Sequence, residues 1–234
     1  MARPPRYFER EIEKIEKMIV SLGAMVEESV QKSLKSLTTR DSVLGLNVIE
    51  SDTKIDDMEV FIEEECLKIL ALYQPVANDL RLIVAILKIN NDLERIGDLA
   101  VNIAERAVFL ATQERIDIPE DLTQMARKTL VMLKGSLDAL VNRDSILARE
   151  ICAADDDVDE INRKMYAQFG ENIRTQPDKL DCFTQLLSAS RYLERVADHA
   201  TNISEDVIYL VEGEIIRHRR ETLDPHSSHG ESND

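Results

Sequence analysis

The sequence predicts an all-α fold: six long antiparallel helices arranged as two tandem, similar three-helix bundles. Three observations carry this. Apolar residues recur with a helical period, chain breakers are scarce, and the second half repeats the first. The 234 residues include only 7 Gly, 6 Pro and no Trp. That is too few turn-formers for a sandwich or barrel of many short strands. Apolar residues make up 44% of the chain, enough to build a core and exclude wholesale disorder.

The first helix shows the pattern most clearly. Phe8, Ile12, Ile15, Ile19, Leu22 and Val26 are separated by alternating steps of four and three. This is one helical stripe, and it continues weakly to Leu37. Arg40-Asp41-Ser42 interrupts it, and Asp41 or Ser42 suits an N-cap. A second helix should run to about Tyr73, where Gln74-Pro75 stops it. A third should start near Asn78, carry Ile83, Ile86, Leu93, Gly97, Val101, Ala104 and Val108 on its stripe, and fade near Gln113. Ile116-Asp117-Ile118-Pro119 then reads as a linker, with Pro119 placed to begin a helix.

The remaining helices repeat this plan. Arg40-Asp41-Ser42-Val43-Leu44 returns 103 residues later as Arg143-Asp144-Ser145-Ile146-Leu147. Gln74-Pro75 returns as Gln176-Pro177 at offset 102. Leu93-Glu94-Arg95-Ile96-Gly97-Asp98 returns as Leu193-Glu194-Arg195-Val196-Ala197-Asp198 at offset 100. Matches in the same order with drifting offsets indicate a duplicated unit. The expected division is residues 1–113, residues 117–218, and a polar flexible tail over 219–234. Long helices joined by short loops form a bundle.

Composition narrows the function. Against 45 Asp and Glu there are 29 Lys and Arg, a net charge of −16. Such a chain repels nucleic acid and anionic lipid, and it has the carboxylates a hard cation needs. Met1–Lys14 has early Arg but no apolar run behind them, so no secretory signal is expected. The longest apolar run, Leu82 to Leu87, is far short of the roughly 20 residues a membrane span needs. Cys66, Cys152 and Cys182 are odd in number and form no CxxC pair. They read as reduced cysteines of a cytosolic protein.

The chemistry lies in the carboxylates. The second-helix stripe runs Val48, Asp52, Ile55, Glu59, Ile62, Cys66, Ile69, so Asp52 and Glu59 fall on or beside a buried seam. Asp56 follows Asp52 by one turn. On the third helix Glu94 and Asp98 are four apart and share a face, with Asn102 a turn further. The second half repeats the arrangement with Asp155 and Asp159, then Glu194 and Asp198. Like charges at this spacing destabilise a helix by roughly 0.2–0.5 kcal/mol even when exposed. Burial adds a desolvation penalty. Three arrangements relieve it: solvation, a Lys or Arg from a neighbouring helix, or a cation bridging two helices. Two carboxylate pairs on adjacent helices form a box for a multi-oxygen metal site.

Other residues say less. His199 should point away from Asp198 and reads as a boundary residue. His226 and His229 fall in the tail. Arg81, Arg95 and Arg195 suit either an anion such as phosphate or the nearby carboxylates. Tyr192 and Tyr209 read as packing. There is no nucleophile–base set, Gly-rich phosphate loop or Glu-xx-His pair of the di-iron carboxylate kind. No enzymatic activity is expected.

Two segments carry a family resemblance. Gln74-Pro75-Val76-Ala77-Asn78-Asp79-Leu80-Arg81, followed by Asp92-Leu93-Glu94-Arg95-Ile96-Gly97-Asp98, resembles the signature of the phosphate-uptake regulators called PhoU. The stretch from Arg191 to His199 and the ending Tyr209-Leu210-Val211-Glu212-Gly213-Glu214 resemble its second copy. The likeness spans about residues 6–218. It implies two similar three-helix bundles in a cytoplasmic, often dimeric protein. It also implies negative regulation of the phosphate regulon and of phosphate uptake. The implied partners are the ATPase subunit of the phosphate ABC transporter and the sensor histidine kinase of the regulon, with recruitment to the membrane through those proteins. Some family members bind iron, zinc or other divalent metals through acid-xxx-acid motifs. Those motifs land on Glu94, Asp98, Glu194 and Asp198, with Asp52, Asp56, Asp155 and Asp159 as their partners. The second copy departs at Ala197, which replaces Gly97, and at Phe183, which stands at the counterpart of Arg81. The rival readings are a ferritin-like metal store and a metal-free helical scaffold.

Overall fold

The computed structural model describes residues 5–216, with side chains from Tyr7 onward. The expected tail over 219–234, with His226 and His229, lies outside the described residues, as do Arg217 and His218. Among the described residues the secondary structure is helical throughout. α1 spans Pro5–Thr39, α2 Ser42–Ser51, α3 Thr53–Tyr73, α4 Ala77–Ala111, α5 Glu120–Asn142, α6 Ser145–Thr175 and α7 Leu180–Glu212. A single 3₁₀ turn, Pro177–Lys179, precedes α7.

Each boundary has a local cause. Asp41 caps α2 by accepting a hydrogen bond from the Leu44 amide, and Asp144 caps α6 by accepting from Ile146 and Leu147. α5 begins directly after Pro119, whose fixed φ suits a helix start. α3 ends on Gln74 in the left-handed region, next to Pro75. α7 ends on Gly213 at φ +80°, a conformation glycine adopts without strain.

The expected second helix is two helices meeting at Asp52. Asp52 has helical dihedrals, and its carbonyl accepts from both the Ile55 and Asp56 amides at 2.7 and 3.1 Å. The three-residue bond tightens the turn and separates α2 from α3. The counterpart α6 runs through without a break. Taken as one rod, α2 and α3 restore six long helices.

The 4–3 stripe of α1 is the core: Ile15, Ile19, Leu22 and Val26 are fully buried, and Phe8 and Ile12 pack against them. α1, α2–α3 and α4 form one three-helix bundle, and α5, α6 and α7 form the other. The bundles lie side by side, joined by an extensive α4–α7 interface and a smaller α1–α5 contact. Lys88 meets Asp206, while Arg106 meets Gln185, so α4 and α7 run antiparallel. Both central helices carry buried alanines, Ala100, Ala104 and Ala107 in α4 and Ala189, Ala197 and Ala200 in α7. Small side chains let a helix be packed closely on more than one side.

Candidate metal centres

The acid pairs face each other across the helix pairs the repeat predicts. In the first half, Asp52 at the α2–α3 junction lies against Gly97 of α4. A Cβ placed on Gly97 would sit 3.4 Å from the Asp52 Oδ1. Asp52 therefore lies against α4 beside Glu94 and Asp98, whose charges both act on it. Its Oδ1 is buried and has no hydrogen-bond partner. Burial, followed by the charges of Asp56, Asp98 and Glu94, pushes the Asp52 carboxyl up to about 6. Burial and the Asp98 charge also raise Glu94.

Glu59 extends this acidic face. Its Oε1 accepts from Asn90 Nδ2 at 3.0 Å, and burial followed by the Glu63 charge raises its pKa. Arg95 gives partial relief, reaching Glu94 at 3.3 Å and Asp98 at 3.4 Å. It is half-exposed, and these are long contacts, so the pairing is weak. Asn102 donates to the Asp98 carbonyl rather than to a carboxylate.

The second half reproduces the arrangement between α6 and α7. Asp155 is pushed up to about 6, first by burial and then by Asp198, Asp159 and Asp156. Thr201 pulls it back slightly, but no well-formed bond closes, and the Asp155 Oδ1 and Thr201 hydroxyl are both buried without partners. Burial raises Glu194 against the pull of a hydrogen bond from Asn162. Asp198 is raised by burial and Asp159, with the neighbouring His199 and Arg195 pulling the other way.

Two buried amides belong to these faces, and the sequence reading did not single them out. Asn90 is 1% exposed and Asn162 is 4% exposed, and the Oδ1 of each lacks a partner. Asn162 stands 103 residues after Glu59, so aligning the repeat position by position would have found it. The donors are therefore carboxylate and amide oxygens, several of them buried and unsatisfied. That set fits a hard divalent or trivalent cation better than a soft one. Among the described residues, no three Asp, Glu, His or Cys side chains stand in a ready-made cation cage.

The remaining candidates resolve differently. His199 crosses to the other bundle, where its Nδ1 lies 2.8 Å from Asp92 Oδ1. Asn202 donates to the same Asp92 oxygen at 3.4 Å. One turn along, Lys88 pairs with Asp206 at 3.1 Å, and the Asp206 side chain is 2% exposed. Tyr209 has the Lys88 ammonium 5.1 Å and the Arg81 guanidinium 5.8 Å from its ring centre. Arg81 also abuts Gly213, where a Cβ would come within 2.8 Å of it. Arg81 thus belongs to the joint between the bundles. Cys66, Cys152 and Cys182 are buried and unbridged. Burial pushes the Cys66 and Cys152 thiols up to about 12, so they stay protonated and inert. No described helix is long and apolar enough to cross a membrane.

Comparison with known proteins places this geometry. The family model for the PhoU domain matches the chain twice, over residues 19–107 and 122–207. A phosphate-specific transport system accessory protein PhoU homolog of Clostridium acetobutylicum is 35% identical over 209 residues, covering 89% of this chain and 95% of that protein. The phosphate-specific transport system accessory protein PhoU of Escherichia coli K12 is 35% identical over 215 residues, covering 90% of this chain and 88% of its own length. The crystal structure of PhoU from Pseudomonas aeruginosa superimposes with a TM-score of 0.86 at 36% identity, over 88% of this chain and all of that one. The phosphate transport system regulatory protein PhoU from Streptococcus pneumoniae gives 0.80 at 32% identity, over 89% of this chain.

Proposed function

The chain belongs to the PhoU family, and on that premise we propose that it is a non-enzymatic regulator that restrains phosphate uptake and the phosphate regulon. It acts as an adaptor between the ATPase subunit of the phosphate ABC transporter and the sensor histidine kinase, working at the cytoplasmic face of the membrane, as a homodimer. The observation that carries this reading is the doubled PhoU match across both halves, backed by relatives named as phosphate-specific transport accessory proteins. An acidic chain is repelled by anionic headgroups, so its recruitment must come from protein contacts.

Each half also offers one cation centre in this reading. Asp52, Asp56, Glu94 and Asp98 would hold metal in the first half. Asp155, Asp159, Glu194 and Asp198 would hold it in the second. The metal, of the iron or zinc type or another divalent ion, supplies positive charge that neutralises carboxylates otherwise held at a desolvation penalty. Support comes from the orphaned Asp52 and Asp155 oxygens and the raised pKa values around them. Because each centre joins two helices, metal binding favours the state in which those helices are held together. It alters partner affinity only so far as the partner distinguishes that state.

Co-purification tests the adaptor role. Membranes containing the transporter and the kinase are solubilised and passed over the immobilised full chain. Retention of both proteins is expected. Retention of neither, with the chain folded and dimeric by light scattering, overturns the adaptor reading.

A further inference from the structure

The outer face of α3 carries a feature that neither the bundle nor the acid centres require. Its inner face, with Ile55, Ile62, Cys66 and Ile69, is buried. α3 packs only against α1, α2 and α4, leaving its outer side without a neighbour among the described residues. That side nevertheless carries Val60, Leu67 and Ala71, with Val60 50% and Leu67 52% exposed. At about 100° per residue these three positions fall within roughly 40° of one another, an aligned apolar row in which Val60 and Leu67 stand two turns apart and Leu67 and Ala71 one. Acids flank it on both sides, Glu63 along one edge and Asp57 and Glu64 along the other, all exposed, with Lys68, which pairs with Glu65, beyond the second edge. None of these three makes an ion pair among the described residues, whereas Glu28 and Glu160 elsewhere on the surface pair with lysines one turn away.

The duplication supplies an internal control. At offset 103 the second half has Arg163, Gly170 and Arg174 in place of Val60, Leu67 and Ala71, all of them exposed. The repeat drops the stripe. The fold tolerates a polar face at this position, so the apolar one on α3 has a cause outside the fold. Single exposed apolar residues need no explanation, but an aligned row between unpaired acids does.

We infer that the outer face of α3 docks a basic amphipathic helix of a partner protein. The stripe receives that helix's apolar residues, and the two acidic edges receive Lys or Arg from its flanks. Pairing with the α3 of a second copy would set acid against acid, which this charge pattern opposes. The inference deepens the adaptor reading, since it names the surface and the chemistry of one partner contact.

Anisotropy titrations of the full chain test it. The probes are a Lys/Leu amphipathic peptide of about 18 residues, a scramble of the same composition, and peptides tiling the transporter ATPase and the kinase. At about 150 mM salt the amphipathic peptide should bind about tenfold tighter than its scramble. Val60→Ser with Leu67→Ser should erase that preference while helicity and Tm hold. Glu63→Gln with Glu64→Gln should weaken binding severalfold and flatten its salt dependence. Arg163→Ser with Arg174→Ser on α6 should not weaken it. Equal binding of the scramble, or undiminished binding by the Val60/Leu67 variant, overturns the proposal. If an ATPase or kinase peptide binds that variant as well as wild type, the surface is wrong and the adaptor reading survives. If only the amphipathic peptide binds, and through this stripe, the surface stands and the adaptor reading falls.

Discussion

Replacing Asp52 with Asn should make the metal-free protein more stable at about pH 8 and leave it unchanged at about pH 3. The Asp52 Oδ1 is buried without a partner, and the carboxyl is pushed from 3.8 up to about 6, mainly by burial. A folded-state pKa above the unfolded value means the folded protein holds this proton more tightly. Near about pH 3 the group is mostly protonated in both states, and almost no penalty exists. The penalty grows between about pH 4 and 6 and is complete above that, so wild-type stability is lost as pH rises through this window. Asp52 is only partly buried, and screening reduces the effect to about 1 kcal/mol. For a chain of this size that is a rise of about 2–4 °C in Tm. Thermal unfolding followed by circular dichroism, with chelator present, measures it at both pH values. Added divalent cation should then help wild type more than the variant. A variant no more stable at high pH, or equally stabilised at both pH values, refutes the burial argument. Asp155→Asn should behave alike, since the Asp155 carboxyl also sits at about 6.

Other expectations follow from the same geometry. Glu94→Ala with Asp98→Ala should lower bound metal in elemental analysis of tag-free protein, and equal metal in variant and wild type would refute the site assignment. Gly97→Leu should force α4 away from Ile55 and Asp52, which stand 3.2 and 3.4 Å from the position of its Cβ. Overpacking of this kind costs about 1–3 kcal/mol, readable in a denaturant titration, with weaker metal binding in the first half. Lys88→Ala removes the ammonium beside the buried Asp206 carboxylate and should cost about 2 kcal/mol, checked by the urea midpoint at constant slope.

The helices were legible because their cause is local. The alternation of four and three from Phe8 to Val26 became the buried face of α1, and Asp41 became a cap through a bond to an amide three residues away. The repeat made the second half legible from the first. The break at Asp52 was hidden, because it depends on a tightened turn whose dihedrals remain helical. The joint between the bundles was hidden for a different reason. His199 meets Asp92 and Lys88 meets Asp206 across separations of 107 and 118 residues, and no periodicity reports such pairs. Arg81 shows the limit of reading a charge alone. Its sequence context offered an anion or a carboxylate and gave no sign of the Tyr209 ring and Gly213, which the fold sets beside it. The acid faces were half legible. Their spacing gave the carboxylates and the repeat offset points to Asn162, but that the amide oxygens of Asn90 and Asn162 are buried without partners emerges only when α3 packs on α4 and α6 on α7.

The most direct test of the account is a phosphate-starvation reporter read in phosphate-replete cells that lack this gene and any second copy of it. The account predicts that the reporter is switched on in the deletion strain and switched off again when the wild-type chain is supplied. A reporter that stays off in the deletion strain would contradict it.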